Sequence, residues 1–132
     1  MFIRTIVEEG ISAKEKDDII TNCTELVEVK QAIDRLDGVN KTAVVLKLDD
    51  NNLMIVGGGE NGKYIVFAKV DGKNYYMANK FDIAKDPMTI TVAKQKGKYP
   101  SRRCLNLDMV LESAKHFAHR GTLAQTFNWE RV

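Results

Sequence analysis

Between two apolar runs the chain reads Gly57-Gly58-Gly59-Glu60-Asn61-Gly62-Lys63-Tyr64, with four glycines in six residues. A backbone so rich in glycine turns through conformations closed to residues with a Cβ. Such a segment either cradles a phosphate or reverses a strand, and the residues after it decide which. Gly57, Gly59 and Gly62 fit the Gly-x-Gly-x-x-Gly dinucleotide pattern, but that pattern needs a following helix whose N-terminus holds the pyrophosphate. Lys63-Tyr64-Ile65-Val66-Phe67-Ala68 is strongly β-forming and has no helical stripe. Nor does a Ser or Thr follow Lys63 to complete a phosphate loop. The segment reads as a strand connection, and no cofactor is expected.

The flanking pattern predicts an α+β domain spanning residues 1–132, with no internal repeat or linker. Phe2 to Glu8 and Asp18 to Thr21 read as an N-terminal hairpin, joined by the polar stretch Glu9 to Lys16. Thr24 reads as an N-cap and Gly38 as a stop for a helix at about 24–37, whose stripe is Leu26, Val29, Ile33 and Leu36. Lys41–Leu48, Leu53–Val56, Tyr64–Val70 and Lys73–Met77 form an antiparallel meander, with Asp71-Gly72 as a primed turn. Thr89 to Ala93 is a further strand, Gly97 to Pro100 a turn, and Arg103 to Leu105 a short last strand. A second amphipathic helix is expected at about 107–120, ended by Gly121, with Trp129 in the tail beyond it. Tyr64 to Val70 and Ala43 to Leu48 are apolar on both alternating sets, so both sheet faces need cover. Two helices cover one face; the N-terminal hairpin is the candidate for the other, with a partner or a second copy as the alternative.

Composition narrows the function classes. The 132 residues include no apolar run long enough to span a bilayer. Cys23 and Cys104 fit no metal or redox spacing and read as free thiols in a reducing cytoplasm. Net charge is +2, distributed as −4 over residues 1–40 (nine acids, five bases), +6 over 41–103 (six acids, twelve bases) and zero over 104–132. The lysines of the middle segment are scattered without a basic helix, so they read as a solvated face more than a phosphate track. A nucleic-acid- or nucleotide-binding module using 41–103 is the alternative function. Glu112, His116 and His119 share the polar face of the second helix and could be written as a metal site. Nothing nearby would orient such ligands, and exposed polar positions are the commoner case. No catalytic motif is present: there is no nucleophile elbow and no deaminase His-x-Glu with Pro-Cys-x-x-Cys.

The order of motifs is more specific than any one of them. The glycine loop ending in Gly62-Lys63-Tyr64 is followed by Gln95-Lys96-Gly97-Lys98-Tyr99-Pro100-Ser101-Arg102, a helix opening Asn106-Leu107-Asp108, and the tail Thr126-Phe127-Asn128-Trp129-Glu130. Over roughly residues 42–132 the chain resembles immunity protein family 1 of bacterial polymorphic toxin systems. That family has a glycine loop ending in Asn/Asp-Gly-Arg/Lys-Tyr, a Gly-x-Tyr-Pro turn, a closing helix and a C-terminal tryptophan. The chain departs from it at Ala93-Lys94, where members often carry Gly-Gly, and at Lys63, where arginine is usual.

The resemblance implies a small cytoplasmic, non-enzymatic protein that neutralises a cognate toxin domain. Such toxins frequently have the deaminase fold and act on nucleic acids. It also implies fold-forming roles for Gly57, Gly58, Gly59, Gly62, Tyr64, Tyr99, Pro100 and Trp129. The implied partner is a protein, with neither nucleic acid nor membrane, and a homodimer is allowed. A toxin of that kind has a basic groove that carboxylates can block. Strand alternation puts Glu60, Asp82 and Asp86 at one sheet end as candidate toxin contacts, together with Lys80 and Lys85. The acidic N-terminal segment, through Glu8, Glu9, Asp17 and Asp18, is the rival surface.

Overall fold

The computed structural model describes residues 1–9 and 18–132. The polar stretch expected to join the first two strands falls largely outside them, as does Asp17. Strands β1 (Thr5–Glu8), β2 (Ile19–Asn22), β3 (Ala43–Asp49), β4 (Asn52–Gly58), β5 (Tyr64–Val70), β6 (Lys73–Ala78) and β9 (Asn128–Arg131) form one seven-stranded sheet. Its order is β2-β1-β3-β4-β5-β6-β9 and every pairing is antiparallel. Strands β7 (Met88–Val92) and β8 (Gln95–Tyr99) form a separate hairpin. With helices α1 (Leu26–Asp34) and α2 (Leu107–Arg120), the class is α+β.

Both helices lie on one face of the sheet. Val29, Ala32 and Ile33 of α1 and Val110, Ala114, Phe117 and Ala118 of α2 are buried there against Val44, Leu46, Met54, Val56 and Val66. The local signals for α2 act as their chemistry dictates. The Asn106 side chain accepts from the Met109 N–H at 3.0 Å, and Gly121, at φ +75°, ends the helix. Helix α1 is shorter than its stripe suggests. Its N-cap is Glu25, one residue past Thr24, because the Glu28 carboxylate gathers the Thr24 hydroxyl and the Thr24 and Glu25 N–H groups.

The N-terminal hairpin does not cover the second face. β1 pairs edge-on with β3 (Val7 opposite Val45), so it extends the sheet and turns Ile6 toward the helices. The cover comes from β7–β8, which sets Met88, Ile90, Val92 and Tyr99 against Ile65, Tyr76 and Cys104. The segment 97–100, expected as a turn, is mostly the return strand of this hairpin, and its turn is Ala93-Lys94, at φ +51° and +66°. Two successive left-handed residues make a primed turn, here built without glycine. The turn is held in place because the Lys94 N–H donates to Thr42 Oγ1 at 2.8 Å, while Thr42 is gripped by the Glu9 carboxylate. The strand expected at Arg103 to Leu105 reduces to a single bridge between Tyr64 and Leu105, preceded by a 3₁₀ turn at Ser101–Arg103. The tail supplies β9 instead.

The hairpin can lie on β4 because Gly57 has no side chain: a Cβ there would sit 2.5 Å from Val92 Cγ1. Gly57→Ala should therefore destabilise the protein by about 1–3 kcal/mol, the usual range for overpacking. In a Val92→Ala background most of that cost should vanish, which a double-mutant cycle by chemical denaturation measures. Additive effects would rule out the contact as the cause. At the hairpin tip, Ala93→Gly removes a left-handed Cβ that costs about 1–2 kcal/mol, against about 0.5–1 kcal/mol of added chain entropy. A small rise in melting temperature is expected, and a fall would mean the turn is unstrained.

Candidate functional site

The sheet end that carries the glycine loop is the most elaborated part of the surface. β4 and β5 run antiparallel through Gly58 opposite Tyr64, and β6 runs back toward the same end, so residues 59–63 and 79–87 emerge together. Glu60–Gly62 form a single tight turn with Asn61 left-handed at φ +57°. The loop's amide groups are used internally. Gly58 N–H donates to Thr42 O, Gly59 N–H to Lys63 O and Lys63 N–H to Glu60 O. A phosphate cradle needs such groups free and convergent, and those of Gly58, Gly59 and Lys63 are already bonded.

The neighbouring loop is held by its own polar side chains. Asn79 N–H donates to Arg102 O at 2.7 Å, and Asn79 Oδ1 accepts from the Phe81 N–H at 3.1 Å. Asp82 Oδ1 accepts from the Ala84 N–H and Oδ2 from the Ser101 hydroxyl, both at 2.9 Å. These bonds, the Ala84 amide first, hold the Asp82 carboxyl below its ordinary range, with Lys63 adding to the effect. With its carboxylate spent inward, Asp82 shapes the loop. Glu60 and Asp86 are exposed, and among the described residues neither is in an ion pair. The same loop turns Phe81 and Ile83 outward, 81% and 89% exposed. Sequence reasoning did not single out these two, because an isolated Phe and Ile among polar residues carry no periodic signal.

The rival acidic surface is largely consumed by the fold. Glu8 is buried and takes a two-pronged bond from Arg35 at 2.8 and 2.9 Å, with Lys41 at 3.8 Å. Glu9 accepts from Thr42 and Ala43. Asp18 is exposed and among the described residues is in no ion pair.

Apart from Gly62, which is exposed, the motif residues sit in or beside the core. Tyr64 is buried, and its backbone exchanges hydrogen bonds with Leu105 at 2.9 and 2.8 Å. Tyr99 lines the second face, and Pro100 opens the turn that carries Arg102 and Arg103. Trp129 packs half-buried against the main core, and its indole N–H donates to Ala124 O at 3.0 Å. His116 Nε2 lies 2.9 Å from Thr122 Oγ1, and among the described residues no three His, Cys, Asp or Glu side chains are grouped to hold a metal. Both cysteines are free and buried, and burial pushes both thiols up, away from nucleophilic thiolate. No helix among the described residues is long and apolar enough to cross a membrane.

The second face is only partly covered. The in-register row Ile20, Val7, Val45, Ile55, Phe67 and Tyr76 crosses five strand pairings. The hairpin leaves a cleft of about 260 Å³ there, lined by Ile55, Ile65, Phe67, Tyr76, Val92 and Tyr99.

The family model described as Immunity protein Imm1 matches residues 21–131. The chain therefore belongs to the Imm1 immunity-protein family, whose members act on a cognate toxin protein. A comparison with curated proteins finds no match.

The C-terminal strand is fixed to the site by a clamp absent from the sequence reading. Glu130 accepts from Arg102 Nε and Arg103 Nε, both at 2.7 Å, and Arg103 lies 4.6 Å over the Tyr76 ring. The Arg102 bond, then Arg103, holds the Glu130 carboxyl below the ordinary glutamate value. A depressed folded-state pKa contributes stability that is complete above the unfolded value, about 4.3, and is lost as pH falls through the folded value. Glu130→Gln should cost about 1–2 kcal/mol at pH 7, discounted for partial exposure. The gap in melting temperature from the parent chain should narrow between pH 5 and pH 3. A gap constant with pH would show that the ionised clamp is not its source.

Proposed function

We propose that this chain is a non-enzymatic, cytoplasmic immunity protein of a bacterial polymorphic toxin system, of the kind used in contact-dependent inhibition. Its role is to bind a cognate toxin domain that acts on nucleic acid, a deaminase or a nuclease, and to occlude its active site. The observation that carries this reading is the family match across residues 21–131. The assembly needs no cofactor, since inhibition by occlusion involves no bond making.

Glu60 and Asp86 are the proposed acidic contacts, both exposed at the glycine-loop end. Carboxylates on a rim raise the association rate with a basic groove more than they deepen the final affinity. Asp82 is proposed to act by holding the loop rather than by touching the toxin.

Co-expression with the toxin domain encoded by the adjacent gene should restore growth, and the two chains should purify together. Failure of both would reject the immunity reading. Glu60→Lys combined with Asp86→Lys should slow association about 10-fold or more at low salt and leave the melting temperature unchanged. Association that is unaffected and independent of salt would exclude these two carboxylates.

A further inference from the structure

We infer that the loop 79–86 is the element that inserts into the partner, with Phe81 and Ile83 as its anchors in apolar pockets of the toxin domain. This inference rests on the immunity reading above and names the surface through which that reading operates.

The loop is built in an unusual direction. Asn79 and Asp82 bond back onto the loop and its anchor, while its two large apolar side chains point outward. Asn79 and Asp82 close successive tight turns onto the Phe81 and Ala84 amides, Ser101 secures Asp82, and Arg102 O receives the Asn79 amide. A loop held by such a set of bonds is ordered before any partner arrives, so little conformational entropy remains to be lost on docking. Two large apolar side chains exposed at 81% and 89% on an ordered loop contribute nothing to the core. Desolvating them in a complementary pocket is a strong source of affinity, and aromatic anchors dominate interface energetics.

Charge selects the occupant. Lys80 stands 5.3 Å from the centre of the Phe81 ring, and Lys85 lies just beyond Ile83. A protein surface whose apolar pockets are rimmed by charges of both signs complements Lys80, Lys85 and Asp86 around the anchors. A second copy does not. The cavity beside the loop, about 250 Å³, is walled by Lys80 and Phe81 themselves, so a symmetric contact would bring the two Lys80 ammonium groups together. Nucleic acid and an anionic membrane are disfavoured by Asp82 and Asp86 between and beside the anchors.

The test uses the full chain and the toxin domain of the adjacent gene, disabled in its catalytic residue. Phe81→Ser with Ile83→Ser should leave the melting temperature of the free protein unchanged, because neither side chain is packed. It should raise the Kd by about 30-fold or more, the size expected when an interface anchor is lost. Ile20→Ser, an exposed apolar change on the open sheet face, should bind as the parent does. If the parent binds and the double variant binds equally well, the anchor assignment falls while the immunity reading stands. If the parent does not bind the toxin domain at all, both fall. Sedimentation showing a dimer that the double variant dissolves would overturn the assignment in favour of self-association. Flotation with phosphatidylcholine–phosphatidylglycerol vesicles that depends on the two residues would overturn it in favour of a membrane.

Discussion

The structure turns on two places where a side chain is missing. At Gly57 the absent Cβ admits Val92, so the β7–β8 hairpin can lie on the second face of the sheet. At Gly59, two residues on, a Cβ would stand 2.8 Å from the Leu36 backbone, and φ is +110°. Here the end of helix α1 meets the loop. Three layers, namely hairpin, sheet and helices, are thus brought into contact by one short segment. The same packing commits much of the segment's backbone to internal bonds. Backbone that is closely approached from both sides directs N–H groups at its own neighbours, as those of Gly58, Gly59 and Lys63 are here.

Carboxylates show a parallel economy. Glu8 holds Arg35 and Lys41, Glu9 holds the start of β3, and Glu130 holds two arginines. Asp37 Oδ1 gathers the amides of Val39, Asn40 and Lys41. Glu8, Glu9 and Asp37 help to make the N-terminal third acidic in sum, yet their charge is committed to joints of the fold. Segment charge is a property of the chain, whereas steering depends on the charges left unpaired at the surface. The two diverge most in a small protein, where each element has few neighbours and polar side chains carry much of the joining.

What could be read from the sequence follows the range of the interaction involved. Helix α2 was legible to its last residue because Asn106 and Gly121 act within one turn of themselves. The strands β3 to β6 were legible from apolar runs and a two-residue turn. The hairpin β7–β8 was misread because its turn residues, Ala93 and Lys94, are not the glycines that a double left-handed turn favours, while Gly97 inside β8 resembles a turn residue. Its conformation depends on Thr42, more than fifty positions away. The cover of the second face was unreadable for the same reason, since it rests on a Gly57–Val92 contact that no local pattern announces. At the candidate site, Asp82 was noticed as a charge, but its inward hydrogen bonds and the outward Phe81 and Ile83 emerge only once the loop is folded.

A separation of tasks follows. Gly57, Gly58, Gly59, Tyr64, Tyr99 and Trp129 are packed or hydrogen-bonded into the fold, so substituting them perturbs their packing, whereas Gly62 is exposed with open space around it. A surface that must match one particular toxin has the opposite requirement: its side chains must be changeable without loss of stability. The 79–86 loop meets that requirement physically. Its path is set by backbone amides bonded to Asn79 and Asp82, and by Ser101 outside the loop, so the outward side chains bear none of the folding free energy. The half-buried row on the open sheet face does not meet it, because Val45, Ile55 and Phe67 pack against neighbours within the sheet and each change there would cost stability. An immunity protein diversifying against new toxins would therefore alter loop tips sooner than sheet faces. The fixed loop path would keep each new side chain presented in the same place.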